Sequence, residues 1–288
     1  MSYIIPTYVS DAWIDRGQGP QNWGAGNTPS IASNADGDKL VAVVQLGRVF
    51  RSTDYGVTWS NDVTPGTNQF WRSVASDSTG VRLVACQSEG NVWLSTDSGI
   101  NWIEQTGAGK PTADQNFRGV ASNHDGSILA ATSRLPTEPS GTPNVNNTGQ
   151  IWVSVNSGST WTGYGGTRDW LAVTCQRVGG AVGTTKLAAV VTNGGILYST
   201  NSGATWSDAT GEGNRDWRGI ASNSDGTRLI ASADGGRIWQ STDSGASWLV
   251  LNGDSQPPAR DWRGVASNND GSILLTGSVG GNIWKSKE

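Results

Sequence analysis

Along the chain, apolar and polar positions fall into short runs, broken at close intervals by Asn, Asp, Ser and Gly. Residues 217–251 show the pattern well. WRGIAS is followed by the turn NSDG, TRLIASA by DGG, and RIWQST by a polar box that leads into SWLVL. Asn-Gly and Asp-Gly steps between apolar, β-branched runs signal hairpins. No stretch keeps a helical period beyond about two turns. The pattern predicts four short strands in an antiparallel meander.

The same unit recurs. Its clearest marker is S-x-[DN]-x-G-x-x-W, read as STDYGVTW (52–59), STDSGINW (95–102), SVNSGSTW (154–161), STNSGATW (199–206) and STDSGASW (241–248). A sixth box is split. The chain ends in IWKSKE, with Glu288 at the place of Asp243, while Trp13 stands one unit before Trp59. Internal periods of this length mark arrays of like supersecondary units. A sheet that buries both faces between two like sheets, in a ring without end faces, is a β-propeller. The predicted fold is therefore all-β: a six-bladed β-propeller of four-stranded antiparallel blades, closed by the N- and C-termini sharing the last blade. The approximate blades of this single domain are 20–62, 68–105, 115–164, 168–209, 215–251, and 260–288 with 8–15.

The tryptophans follow the repeat. All fifteen occupy three periodic positions. Trp13, Trp59, Trp102, Trp161, Trp206 and Trp248 close boxes. Trp93, Trp152, Trp239 and Trp284 lie on third strands, where Phe50 and Tyr198 fill the other two units. Trp23, Trp71, Trp170, Trp217 and Trp262 open first strands, with Phe117 in the remaining unit. The first two sets read as inter-blade core. The first-strand set admits a second reading, as ligand contacts.

Composition narrows the function. The formal net charge of −4 argues against a general nucleic-acid binder and against a polybasic membrane anchor. No apolar run approaches the ~20 residues of a membrane span. The N-terminus lacks a basic start before an apolar core, so no secretory signal is seen and the expectation is cytoplasmic by default. Cys86 and Cys175 each replace a Ser of the repeat and read as small buried residues rather than a disulfide.

The box resembles the Asp-box, or BNR, repeat of sialidases, other glycoside hydrolases, sorting receptors and photosystem II assembly-factor propellers. The resemblance spans nearly the whole chain. It implies that the box forms the turn between third and fourth strands, opposite the binding face. Asp54, Asp97, Asn156, Asn201 and Asp243 would then be structural caps. The connections between units, and the turns between second and third strands, would form the functional face.

On that face a polar–aromatic group recurs. It is RDW at Arg168–Asp169–Trp170, Arg215–Asp216–Trp217 and Arg260–Asp261–Trp262, and QNW, QFW or QNF ending at Trp23, Trp71 and Phe117. Arg72, Arg118, Arg218 and Arg263 follow the aromatic, whereas Gly24 and Leu171 break the pattern. Rings beside amide, carboxylate and guanidinium groups suit a hydroxyl-rich ligand. The candidate contacts are Trp23, Trp71, Arg72, Phe117, Arg118, Asp169, Trp170, Asp216, Trp217, Arg218, Asp261, Trp262 and Arg263. The alternative is a ring of Arg–Asp salt bridges around the channel, with the Trp side chains in blade core. The third unit also carries an insertion, the Pro-rich 133–149 loop, on the same inferred face.

No catalytic constellation stands out. Tyr164 alone among the tyrosines falls on an inferred top loop, and no Glu lies near it in sequence. The arginines repeat unit by unit, unlike an asymmetric catalytic triad. The single His124, in an NHDG turn, cannot form half of a His pair around a metal. The leading expectation is a multivalent, lectin-like binder of carbohydrate or glycoconjugate. Its sites would be shallow and repeated, without metal or cofactor. The alternative is a protein–protein scaffold or assembly factor using the arginines and the 133–149 loop. A glycoside hydrolase ranks below both.

Overall fold

The computed structural model describes residues 30–61, 69–88, 90–111, 115–134, 149–164, 168–178, 181–251, 261–279 and 283–286. Regular structure among them is entirely β, in successive antiparallel meanders. The first sheet orders Ser30–Ser33, Leu40–Val43, Val49–Ser52 and Ser60–Asn61. The second orders Gln69–Ser76, Leu83–Gln87, Val92–Ser95 and Ile103–Glu104. The third orders Asn116–Ser122, Leu129–Arg134, Ile151–Ser154 and Thr162–Tyr164. The fourth orders Trp170–Cys175, Leu187–Gly194, Ile196–Ser199 and Ser207–Asp208. The fifth orders Arg215–Ser222, Leu229–Ala233, Ile238–Ser241 and Leu249–Val250. The sixth orders Trp262–Ser267, Leu274–Ser278 and Ile283–Lys285. The terminal segment 8–15, Trp13, Trp23 and most of the 133–149 loop lie outside the described residues.

The box does what its residue types require. In every described copy a Ser Oγ accepts the Gly amide four residues on, at 2.8–3.0 Å. The Asp or Asn Oδ1 accepts the amide four residues beyond itself, at 2.8–2.9 Å. The residue between them takes a left-handed conformation, from φ 55° at Ser157 to 65° at Ser244. That strain is held because two side chains cap the turn. The cost recurs at each box and is local.

Alternation on each strand splits the core. Leu83 and Ala85 of the second sheet pack toward the first sheet, whereas Val84 and Cys86 pack toward the third. Successive side chains of a strand point to opposite faces, so both faces are filled. One apolar cluster lies between each consecutive pair from the first sheet to the sixth. The first-strand rings, the third-strand tryptophans and the box tryptophans in these clusters lie on the face toward the preceding sheet. Thus Trp217, Trp239 and Trp248 meet Ala188, Val190 and Ile196 of the fourth sheet. The expected place of Tyr198 among them is corrected: Leu197 stands where Trp239 stands in the next unit, and Tyr198, one residue on, faces the fifth sheet. Burying an aromatic removes ~150–250 Å² from water, so these seams dominate cohesion. Cys86 and Cys175 are free and buried within them, and burial pushes both thiols up to about 12.

First strands of consecutive sheets pack against one another, which places them innermost. The Ser73 Oγ accepts the Val120 amide at 3.2 Å, and the Ser30 Oγ accepts that of Val74 at 3.2 Å. Crowding there explains the Gly after the arginine. A Cβ on Gly219 would stand 2.9 Å from the Arg263 carbonyl oxygen of the next inner strand. Among the described residues no apolar cluster joins the sixth sheet to the first, and Ile31, Leu275 and Ile283 are exposed.

Candidate functional site

Two ends of the sheets are distinguished by their hydrogen bonds. Each box donates back to the turn between first and second strands, as from Ser98 to Val81 and from Ser244 to Thr227. Those two turns therefore share one end. At the opposite end the turn between second and third strands touches the start of the next sheet. Gly47 pairs with Gln69, Gly90 with Gln115, and Gly194 with Arg215. The first residue of the recurring polar–aromatic group is thus a backbone bridge between neighbouring sheets.

The aromatic member of that group is not at the surface. Trp71, Phe117, Trp170, Trp217 and Trp262 are each 0% exposed. Their rings point into the seam with the preceding sheet, where Trp71, Trp217 and Trp262 meet Trp93, Trp239 and Trp284 edge-on. The expectation that these rings stack on a ligand is corrected: hydrophobic burial takes them, and none offers a free face. Trp23 lies outside the described residues.

The arginine after each ring is placed differently. The pairing of first and second strands slips at that residue in five sheets: between Trp71 and Ser73, Phe117 and Gly119, Trp170 and Ala172, Trp217 and Gly219, and Trp262 and Gly264. Arg72, Arg118, Leu171, Arg218 and Arg263 are therefore bulge residues on the inner strands. A bulge leaves one residue unpaired and re-aims its side chain.

Two charged groups result. In the fifth and sixth sheets, Arg218 reaches Asp216 at 2.7 Å and Asp234 at 2.5 Å, and Arg263 reaches Asp234 at 3.4 Å. Asp261 joins the cluster beside Asp234. Burial works against the Asp234 charge, but the hydrogen bond from Arg218 and the charges of Arg218 and Arg263 hold its carboxyl below the usual range. Here the expected Arg–Asp salt bridges are present, and three carboxylates face two guanidiniums.

The second and third sheets hold the reverse balance. Arg118 stands within the field of Arg72 and Arg134, and Asp169 is the carboxylate near it. Asp169 is engaged by Arg134, whose Nε donates to both of its oxygens at 2.7 and 2.9 Å. Arg72 donates to Gln45 Oε1 at 3.4 Å. The Nε of Arg118 is buried without a hydrogen-bond partner. Burial, then repulsion from Arg72 and Arg134, pushes its guanidinium down to about 10. It stays charged at neutral pH, in a place that favours a negative neighbour. Among the described residues, three guanidiniums here stand near one carboxylate.

Sequence reasoning did not single out Arg134, Asp234 or Gln45. Arg134 and Asp234 occupy one structural slot, at the end of the second strand, opposite the residue before the first-strand aromatic. Laying the second strand against the first in register would have marked it. His124, in the turn between the first and second strands of the third sheet, is exposed.

No family model matches the chain, and no curated protein matches it. Among solved structures the chain is similar to the GH74 enzyme of Niastella koreensis, at 20% identity over 89% of this chain and 36% of that one, with a TM-score of 0.58. It thus spans little more than a third of that enzyme's length. It is similar to YCF48 bound to D1 peptide, at 16% identity over 86% of this chain and 74% of that one, TM-score 0.58. It is also similar to the Swd1 β-propeller domain of Myceliophteria thermophila, at 10% identity over 90% and 83% of the two chains, TM-score 0.62. These likenesses show the fold: the chain is a β-propeller.

Proposed function

We propose that the chain is a non-catalytic docking propeller that binds an acidic segment of a protein partner across its arginine-bearing end. In this reading the ring has six blades and closes where the first and sixth sheets present exposed Ile31, Leu275 and Ile283 to each other's side. The observation that carries the proposal is the unequal charge of repeated positions. Among the described residues, Arg118 lies in the field of Arg72 and Arg134 with one carboxylate near and its own Nε unpaired, whereas Arg218 and Arg263 are neutralised by aspartates. Equivalent sites would repeat the same balance, so the asymmetry suits one partner in one orientation. A solved relative in fold, YCF48, is bound to a peptide. Carbohydrate recognition by the first-strand rings loses its support, because Trp71, Phe117, Trp170, Trp217 and Trp262 are buried.

The test is fluorescence anisotropy with labelled penta-aspartate and penta-lysine peptides. The acidic peptide is expected to bind saturably, more tightly than the basic one, and to weaken with added salt, because exposed charge pairs are screened. Equal affinity for both peptides, or preference for penta-lysine, would overturn the proposal.

A further inference from the structure

A second cleft opens at the same end of the fourth sheet and shares Asp169 with the arginine group. It has a volume of about 790 Å³ and lies between the turn 191–195 and the segment 208–214. Much of its wall is backbone, at Gly194, Gly195, Gly211 and Gly213. Four ionisable side chains line it: Arg168, Asp169, Asp208 and Glu212. Three have partners. Arg168 pairs with Asp208 at 2.8 Å, and Asp169 with Arg134 at 2.7 Å.

Glu212 is the exception. Its side chain is buried, with the residue only 4% exposed. Its Oε1 accepts the Ile196 amide at a long 3.4 Å, and its Oε2 has no hydrogen-bond partner. The nearest cation in sequence is committed elsewhere. Arg215 donates its Nε to the backbone oxygen of Glu212 at 2.7 Å, and its guanidinium lies 4.4 Å above the Trp239 ring. A buried carboxylate without a counter-charge is costly to keep. Such a group calls for a partner that the described side chains do not supply.

From this geometry we infer that the cleft is a binding site for a primary ammonium group, with Glu212 as its counter-ion. The ammonium carries three donors and no acceptor. It supplies what the buried Glu212 Oε2 lacks, and the glycines on either side, Gly211 and Gly213, set no side chain in the way of a ligand approaching from the cleft. The neighbouring Arg168–Asp208 pair is already neutral and adds no competing charge. A guanidinium fits less well, since a flat fork needs two carboxylate oxygens in one plane and Oε1 is held by Ile196. Lysine side chains and amino sugars share the required chemistry.

The experiment is a titration of the full chain followed by the backbone amide NMR signals of Gly194, Gly195, Gly211 and Gly213. The probes are N-acetyl-lysinamide, glucosamine, and the uncharged N-acetyl-norleucinamide and glucose. Saturable shifts with either amine, and none with its uncharged counterpart, support the site, and the tighter amine identifies the source. Glu212→Gln should weaken that binding ~10-fold or more, as loss of a charge-assisted hydrogen bond does. Should that variant misfold, Asn214→Trp, at an exposed rim position, should block the cleft without touching the core. Absence of saturable shifts with both amines would overturn the inference. So would equal response to the uncharged probes, or unchanged binding in folded Glu212→Gln or Asn214→Trp.

Discussion

The indole of Trp217 meets that of Trp239 edge-on, with ring centroids 6.1 Å apart and planes inclined by 75°. The Trp217 Nε1 donates to the Gly194 carbonyl of the preceding sheet at 2.9 Å. One side chain therefore joins the first strand, the third strand and the neighbouring sheet. Truncation leaves a cavity in a seam that cannot collapse without moving a whole sheet. Trp217→Ala should cost ~3–5 kcal/mol of stability, read by denaturant unfolding, with Trp217→Phe costing less. Unfolding unchanged by the Ala variant would mean that the ring is not core.

Gly158 tests the box. Its φ is 82°, and an added Cβ would overlap the side chain of Leu94 in the preceding sheet. Gly158→Ala combines a left-handed penalty of ~1 kcal/mol with overpacking of ~1–3 kcal/mol. The melting temperature should fall accordingly. By contrast Gly107→Ala, with φ 98° but open space around it, should show the conformational part alone.

Acid should loosen the turns. A side-chain hydrogen bond from Thr58, then the Thr58 amide and Ser52, lower the Asp54 carboxyl to about 2. Ser127, Thr227 and Ser272 hold Asp125, Asp225 and Asp270 below the ordinary range in the same way. Each folded pKa lies below its unfolded value, so the contribution is complete above about pH 4–5 and is lost as pH falls toward 2. Urea midpoints between pH 6 and 2 should decline over that window. Asp54→Asn should lessen the decline, because Asn156 and Asn201 already cap equivalent turns without a titrating group. A flat profile would contradict the assignment.

Leu275 examines ring closure. It is 38% exposed among the described residues, on the face of the sixth sheet turned away from Trp262 and Trp284. If that face seals against the rest of the ring, Leu275→Asp removes an apolar contact and buries a charge. It should then cost well over the ~0.5 kcal/mol of a surface change. A cost within that surface range would speak for an open seam.

The sequence pattern carried the strand order because each turn has its own chemistry: Asn-x-Asp-Gly between first and second strands, the Ser–Asp box between third and fourth. The second unit varies the first of these, as Asp-Ser-Thr-Gly at 77–80, and the fourth lacks it, yet Gln176 Oε1 accepts the Lys186 amide at 3.0 Å, much as Asn223 Oδ1 accepts that of Arg228. The site was less legible. An aromatic that begins a strand reads the same whether it faces solvent or the neighbouring sheet, and only the packing of sheet on sheet decides. Likewise Arg134 and Asp234 stand in a slot occupied elsewhere by Ser88, Thr192 and Val279, so no repeat advertises it. The arginines were found because they recur. Asp234 and Gln45 were not: Asp234 ends the second strand beside Arg218 and belongs to the unit before Arg263, and Gln45 belongs to the unit before Arg72, so no sequence spacing marks them.

Arg118 and Arg263 hold the same place in two copies of one repeat, and the unequal charge around them is the claim to challenge. Affinity for penta-aspartate should be compared in Arg118→Gln and Arg263→Gln, with both variants verified as folded. Arg118→Gln is expected to weaken binding ~10-fold or more, as loss of a charged hydrogen-bonding partner does, and Arg263→Gln to leave it within about twofold, its charge being screened by Asp234. Equal losses in the two variants, or none in Arg118→Gln, would contradict a single asymmetric docking site.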